Sequence, residues 1–388
     1  MRRFQHTEWA AQTAAGGIGG VILADVKRRI VGGEFAPDGR LPTRAALVQA
    51  YKTTPVTMQR VFDRLAADGF IRANGREGSF VKSDSPHLVS YGLIFPGRDR
   101  PGNPWPLFWR RLRDEAERVA AARGLKLVVS YGNETHRDVR AYRALTEAVR
   151  SHKFAGLLFA SPPFYLEGSP LLDVPGIPRV ALAPTDYPQV HTVELRGDMF
   201  GTLAGMLAKT GKRRLALLVT PELEENARVF AAGAGKERGG AKMCFEIRPH
   251  WIALAPYRFP GVIKSSATLL MRLPPEDRPD AILVGDDNLC DTVAAAVREA
   301  GLRVPEDVAI ASHTNFPLAK KDAAPILRAG WDVRAALSAC LDALEKQRNG
   351  LTLPRVTEVG IIIDETGLSS IHQQTTQRKR CTSQRSQT

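Results

Sequence analysis

Leu41-Pro42-Thr43-Arg44 is followed by Thr54-Pro55-Val56-Thr57-Met58-Gln59-Arg60-Val61-Phe62-Asp63-Arg64-Leu65, by Asp68-Gly69-Phe70-Ile71, and by Gly75-Arg76-Glu77-Gly78-Ser79-Phe80-Val81. Thr54 suits a helix N-cap and Pro55 the first helical position. Met58, Phe62 and Leu65 recur at i, i+4 and i+7 with Val61 beside them, so one stripe of this helix faces a core. Val56, Thr57, Arg60, Asp63 and Arg64 fall on the opposite side, which offers methyl, hydroxyl and guanidinium groups for phosphates and base edges. Gly69 stops the helix. Phe70-Ile71-Arg72 starts a strand, Gly75 and Gly78 bracket a turn, and Ser79-Phe80-Val81 returns as a second strand. The parts are those of a helix-turn-helix with a β-wing, with Arg72 and Arg76 at the wing tip. Any one such helix alone favours a small α/β domain with solvated charges; the ordered series of signals reverses that and favours the winged helix.

The stretch Val21 to Lys82 resembles the GntR-family winged helix through Leu41-Pro42-Thr43, Thr57, Leu65, Gly69, Gly78 and Phe80-Val81. Placement and resemblance together imply contacts to double-stranded operator DNA from Thr43, Arg44, Thr54, Thr57, Gln59, Arg60, Arg64, Arg72, Arg76 and Gly78. Thr54-Pro55 stands where the family carries serine-arginine. Proline cannot make the arginine's contact, so the family's base preference does not carry over.

The full chain has 388 residues, enough for two or three domains, and 44% hydrophobic residues, enough for a sizeable core. Its net charge of +13 is uneven. Residues 1–82 carry 13 Lys/Arg against 7 Asp/Glu, residues 369–388 carry 4 against none, and the middle is nearly neutral with 37 against 34. A basic head on a neutral body suits a polyanion partner for the head and another task for the body. No apolar run reaches 18 residues and no signal segment leads the chain, so a soluble, cytoplasmic protein without a membrane partner is expected. Cys244, Cys290, Cys340 and Cys381 are scattered without a CxxC pair, which argues against a metal and against a disulfide framework.

Residues 1–17 lack clear periodicity and read as a partly mobile lead-in, 18–82 as the winged helix, and 83–88 as a short polar linker that holds the head near the body. Residues 89–368 form the body, and 369–388 a basic, disordered tail containing Arg378-Lys379-Arg380 and Arg385. From Val89 the pattern alternates strand and helix. Strands are expected at Val89–Phe95, Leu125–Ser130, Ala155–Ala160, Val180–Leu182, Leu215–Val219, Phe245–Arg248, Ala281–Val284 and Val308–Ala311, with helices between and a last crossover over Gly330–Arg348. This predicts an α/β body of parallel, doubly wound sheets in two lobes.

The body resembles the LacI/GalR regulators and the periplasmic sugar-binding proteins. Phe108-Trp109 with Arg123-Gly124-Leu125, Phe154-Ala155-Gly156-Leu157-Leu158-Phe159, Ile177-Pro178-Arg179-Val180, Ala281-Ile282-Leu283-Val284-Gly285-Asp286-Asp287 and Ala300-Gly301-Leu302-Arg303-Val304-Pro305-Glu306-Asp307-Val308-Ala309-Ile310 carry that likeness. It implies a two-lobed, type I periplasmic-binding-protein-like fold over about Val89 to Asp364, a homodimer, and a small-molecule effector, a sugar, held between the lobes. Ligands of open α/β sheets sit beyond the carboxyl ends of the strands. Phe108, Trp109, Asn133, Ser161, Asp286, His313 and Asn315 stand at such ends. The family has an effector-binding arginine at the helix after the Leu215–Val219 type of strand, and Arg228 stands there; its bland alternative is a solvated helix arginine. His313 replaces a residue that is often aspartate in the family, and a satisfied loop histidine is its alternative. Asp287 reads as a structural turn residue. Trp251 and Trp331 either close the ligand site or pack in the core.

Neither GxSxG, HExxH, GxxxxGK[ST] nor a zinc spacing occurs, so neither an enzyme nor a cofactor is expected. Gly16-Gly17-Ile18-Gly19-Gly20 precedes a helix without joining a strand to it, which makes a poor nucleotide loop. The expectation is a ligand-responsive transcription regulator, a repressor. A sugar-binding module without a regulatory DNA role and a cleft enzyme are its rivals.

Overall fold

A computed structural model of the chain describes residues 6–132, 139–184, 187–233, 237–238, 241–242, 245–318 and 325–364. Asn133 and the tail 369–388 lie outside the described residues. The winged helix comprises α1 (His6–Val31), α2 (Arg44–Tyr51), α3 (Pro55–Ala67) and an antiparallel wing of β1 (Ile71–Ala73) and β2 (Ser79–Val81). Its core is Ile22, Val26 and Ile30 of α1 against Met58, Val61, Phe62 and Leu65 of α3, closed by Phe70, Ile71 and Val81. The stripe expected on α3 is therefore the buried one. Residues 6–16 differ from the expected lead-in: they are helical and join the rest of α1 across a kink at Gly17, where φ is 61°. Four alanines in that segment favour helix without giving it an apolar stripe, which is why periodicity missed it.

After a one-turn helix α4 (Pro86–Val89) come β3 (Ser90–Phe95), α5 (Leu107–Ala121), β4 (Lys126–Tyr131), α6 (Val139–Arg150), β5 (Gly156–Phe159), α7 (Pro170–Asp173), β6 (Arg179–Ala183) and β7 (His191–Leu195). Next are α8 (Met199–Ala208), β8 (Leu215–Val219), α9 (Glu224–Gly233), a ribbon of β9 (Glu237–Arg238) and β10 (Ala241–Lys242), β11 (Ile252–Leu254), α10 (Pro260–Met271), β12 (Ala281–Val284) and α11 (Asp287–Glu299). The described chain closes with β13 (Ala309–Phe316), β14 (Leu327–Asp332), α12 (Val333–Arg348), β15 (Val356–Val359) and β16 (Ile362–Asp364). One sheet runs β15-β7-β6-β5-β3-β4 and the other β11-β8-β12-β13-β14-β16. The pairs β3–β4, β3–β5 and β5–β6 are parallel, as is the second sheet from β11 to β14. The expected Phe245–Arg248 strand is only a bridge from Glu246 to Arg214. Pro249, which lacks an N–H donor, opens a 3-10 turn there, and the edge strand forms beyond it as β11.

The described residues fall into two compact units, one within 1–98, 116–193 and 340–356, the other within 99–115, 194–339 and 357–388. In the second unit, strand alternation sends Leu215, Leu217 and Val219 to one face of the sheet and Ala216 and Leu218 to the other, and each face has its own apolar core. In the first unit the polar 83–88 segment is built into the fold. The Ser85 hydroxyl lies between the carbonyl oxygens of Phe70 (3.1 Å) and Lys82 (2.7 Å). The His87 ring stacks on Phe70 at 5.4 Å and 3°. Asp68, at the C-terminal end of α3, pairs with buried Lys27 at 2.7 Å and with Lys153, from the segment before β5, at 3.0 Å. Among the described residues no helix is long and apolar enough to cross a membrane.

Candidate nucleic-acid interface and ligand site

The hydroxyls of Thr43 and Thr54 cap helices. Thr43 Oγ1 accepts from the Ala46 N–H and Thr54 Oγ1 from the Thr57 N–H, both at 3.2 Å, and the Thr54 and Thr57 hydroxyls meet at 3.0 Å. These bonds set the start of α2 and of α3 and leave both starts exposed, where backbone N–H groups favour an anion. Along α3, Val56 is 62% exposed and Gln59, Arg60 and Arg64 are exposed beside it. Gln59 Nε2 donates to Asp63 at 2.7 Å, and Arg64 pairs with Asp68 at 3.2 Å. The Arg44 guanidinium stands 5.0 Å over the Phe62 ring. In the wing Arg72 pairs with Asp38 at 3.3 Å, and Arg76 is exposed in the turn between the strands. Gly78 closes that turn at φ 110°, a conformation that suits glycine; a Cβ there would also press on the Arg40 guanidinium at 3.0 Å. Arg40 bridges through its backbone to Phe80 of the wing. The sequence reading missed it, although its place next to Leu41-Pro42 was a usable signal.

The second unit carries a polar cluster at the carboxyl ends of β12 and β13. Asp286 N-caps α11: its Oδ1 accepts from the Asn288 N–H at 2.8 Å and from Asn288 Nδ2 at 2.6 Å. Asp287 is buried and takes three partners. Arg111 Nη1 donates to its Oδ2 at 2.8 Å, the Asn315 N–H donates at 3.1 Å, and Asn315 Nδ2 reaches both oxygens at 3.3 Å. Arg111 also donates to the Asn315 carbonyl. Asp287 thus ties β12, β13 and α5 together, in line with a structural role. The Leu107 N–H donates to Asn288 Oδ1 at 2.9 Å, so the start of α5, which carries half-buried Phe108 and Trp109, abuts the Asp286–Asn288 turn. His313 lies 5.1 Å from the Trp331 ring, and its buried Nε2 has no hydrogen-bond partner among the described residues. Burial and the Asp287 charge push the Asp286 carboxyl above its ordinary range against the Asn288 hydrogen bonds. Burial holds His313 below its ordinary value although both carboxylates oppose it. Chemically the cluster offers a carboxylate acceptor, a neutral imidazole and an indole face, a set that matches a polar ligand with C–H surface.

Deeper in the same sheet, Arg328 is buried and donates to Thr314 Oγ1 at 3.0 Å. The close approach of β14 to β13 needs Gly330, where a Cβ would run into the Thr314 carbonyl oxygen. Arg111, Asn288 and Arg328 were not picked out from the sequence, whereas Asn315 was, as a residue near a strand end. The residues that were picked out are differently placed. Asp286, His313 and Trp331 share the cluster. Arg228 is on α9 with its side chain 61% exposed and paired with Glu224 at 2.7 Å, one helical turn away. Ser161 is half-buried after β5, in the other unit. Trp251 is fully buried in the core beneath Arg248.

Residues 20–81 match the model of the bacterial regulatory proteins, gntR family, and residues 204–354 that of the periplasmic binding protein-like domain. The HTH-type transcriptional repressor PurR of Pectobacterium carotovorum subsp. carotovorum (strain PC1) is 25% identical over 242 residues, 59% of this chain and 64% of that protein. The match thus spans less than two thirds of that relative. Among solved structures, the Escherichia coli transcriptional repressor ascG is similar at 16% identity with a TM-score of 0.53, over 71% of this chain and 97% of that one. The transcriptional regulator CelR–cellobiose complex is similar at 17% identity with a TM-score of 0.51, over 81% and 90%. The two structures share the fold of the body.

Proposed function

We propose that this chain, in which a gntR-family DNA-binding module is joined to a periplasmic-binding-protein-like body, is a transcription repressor that binds operator DNA and whose affinity is set by a small sugar held at the Asp286–His313 cluster. The observation that carries the reading is the division of α3 into two faces. One builds the core of the head, and the other presents exposed Val56, Gln59, Arg60 and Arg64 beside the wing arginines. That is the inventory that reads base edges and phosphates from a recognition helix. The cluster supports the sensor half, since a polyol supplies hydroxyls to Asp286 and His313 and a C–H face to Trp331. The cellobiose carried by the similar CelR structure points to the same ligand class. The active form is a homodimer, because two heads related by a two-fold axis match a palindromic operator. The test is a thermal-shift screen of sugars on the full chain, followed by DNA-binding titrations with the sugar that raises the melting temperature. The reading fails if the chain binds selected DNA no better than random duplex.

A further inference from the structure

We propose that the chain carries a second small-molecule site, at the junction of the winged helix with the β3–β6 layer, and that this site takes a carboxylate with a compact apolar body. The inference stands apart from the sugar-sensing reading. A cavity of about 400 Å³ lies between the end of α1, the helix α4 and the segment leading into β5. That volume is within the range of small-molecule pockets. Val31, Phe154 and Ile177 give it apolar walls, and His87, His152 and Arg348 line it from other sides.

The two histidines are the deciding observation. His87 is only 7% exposed, and its Nδ1 has no hydrogen-bond partner among the described residues; Nδ1 of His152 is buried in the same state. Buried side-chain polar atoms nearly always have partners, so two orphans lining one cavity are the fittings of a binding site. The stack of His87 on Phe70 fixes the plane of its ring. Arg348 spends one N–H on the Leu88 carbonyl at 2.7 Å, and a guanidinium has five. None of the residues lining the cavity is acidic. A carboxylate satisfies this set: its two oxygens accept from Arg348 and from imidazole Nδ1–H groups, while its carbon body covers the apolar walls. A sugar would leave hydroxyls unpaired against Val31, Phe154 and Ile177.

The test is titration calorimetry on the full chain with 3-phenylpropionate as probe and 3-phenylpropionamide as the neutral control. The expected result is carboxylate binding with a Kd on the order of 1 mM or tighter, and at least ten-fold weaker binding of the amide. His152→Asn, which suits the φ of 52° at that position, and Arg348→Gln should each weaken the carboxylate at least ten-fold. Asp286→Asn, in the other unit, should leave its Kd within two-fold. No carboxylate binding by the folded protein would overturn the proposal. So would a Kd unmoved by His152→Asn and Arg348→Gln, or one lost in Asp286→Asn. If Arg348→Gln does not fold, His152→Asn alone decides.

Discussion

Arg60 is exposed on the outer face of α3, two turns before the Asp68 anchor, and its role can be measured directly. Arg60→Ala is expected to weaken operator binding by about 1–3 kcal/mol if the guanidinium reads a base, and to lower the salt slope by about one if it meets a phosphate. Anisotropy titrations across a salt series separate the two; an unchanged affinity and slope would place Arg60 outside the interface. His87 gives a second residue-scale expectation. Burial, helped by the positive charge of Arg348, holds its pKa at about 4, against an ordinary value of 6.5. The folded state therefore binds the proton more weakly than the unfolded chain. The stability from a neutral His87 is complete above pH 6.5 and is lost as pH falls toward 4, by about 3 kcal/mol in all. His87→Phe keeps the ring on Phe70 and should flatten this part of the pH dependence in urea melts; an unchanged slope between pH 4 and 6.5 would contradict it. At this scale the sequence was half legible. Asp286 was singled out because it follows a strand; His313 was singled out on the same expectation, although β13 runs past the expected end at Ala311 to Phe316 and holds His313 within it. Arg111 was not, because its partner Asp287 lies 176 positions away and helix periodicity carries no trace of such a pairing.

Among the elements, α3 was fully readable. Its N-cap, its N1 proline, its buried stripe and its glycine stop are all local signals. The 83–88 segment was not, since a serine, an aspartate and a proline in a row read as solvated whichever surface they meet. Burial of Ser85 and His87 is decided by Phe70, and that of Lys27 by Asp68. Desolvation drives the Lys27 ammonium down against the pull of Asp68; Asp68 itself, in spite of its burial, is kept low by Lys27 and Lys153. Asp68→Ala leaves Lys27 uncompensated and is expected to cost about 3–5 kcal/mol, with much of the loss recovered in the Lys27→Met, Asp68→Ala double variant. Urea denaturation of the three variants checks this. Equal stability of Asp68→Ala and wild type would show that the pair holds nothing together. The same anchor joins the end of α3 to the layer that contains Lys153, which gives the head a mechanical connection that the sequence only hinted at by a short linker.

For the whole molecule, the alternation of strand and helix was enough to foresee parallel sheets in two lobes, because hydrophobic period and chain length are global signals. The strands β7 and β14 were not foreseen, and β14 takes the start of the expected Gly330–Arg348 crossover, whose helix begins at Val333; the short edge strands β11, β15 and β16 were missed as well, since three or four residues carry no period of their own. On the proposed reading, function at this scale is a linkage between ligand and DNA. A sugar can alter operator affinity only by binding two states of the protein unequally. Asp286→Asn is therefore expected to abolish the response to the sugar while leaving ligand-free DNA affinity within two-fold, which operator titrations of the variant will show. The most direct test of the account is the affinity of the full chain for DNA selected from a random pool, measured at one salt concentration with and without the sugar that raises its melting temperature. Selected DNA is expected to bind at least ~10³-fold tighter than random duplex, and adding the sugar to shift that affinity by at least ~5-fold. Equal affinity for selected and random DNA, or an affinity that a bound sugar leaves unchanged, would contradict it.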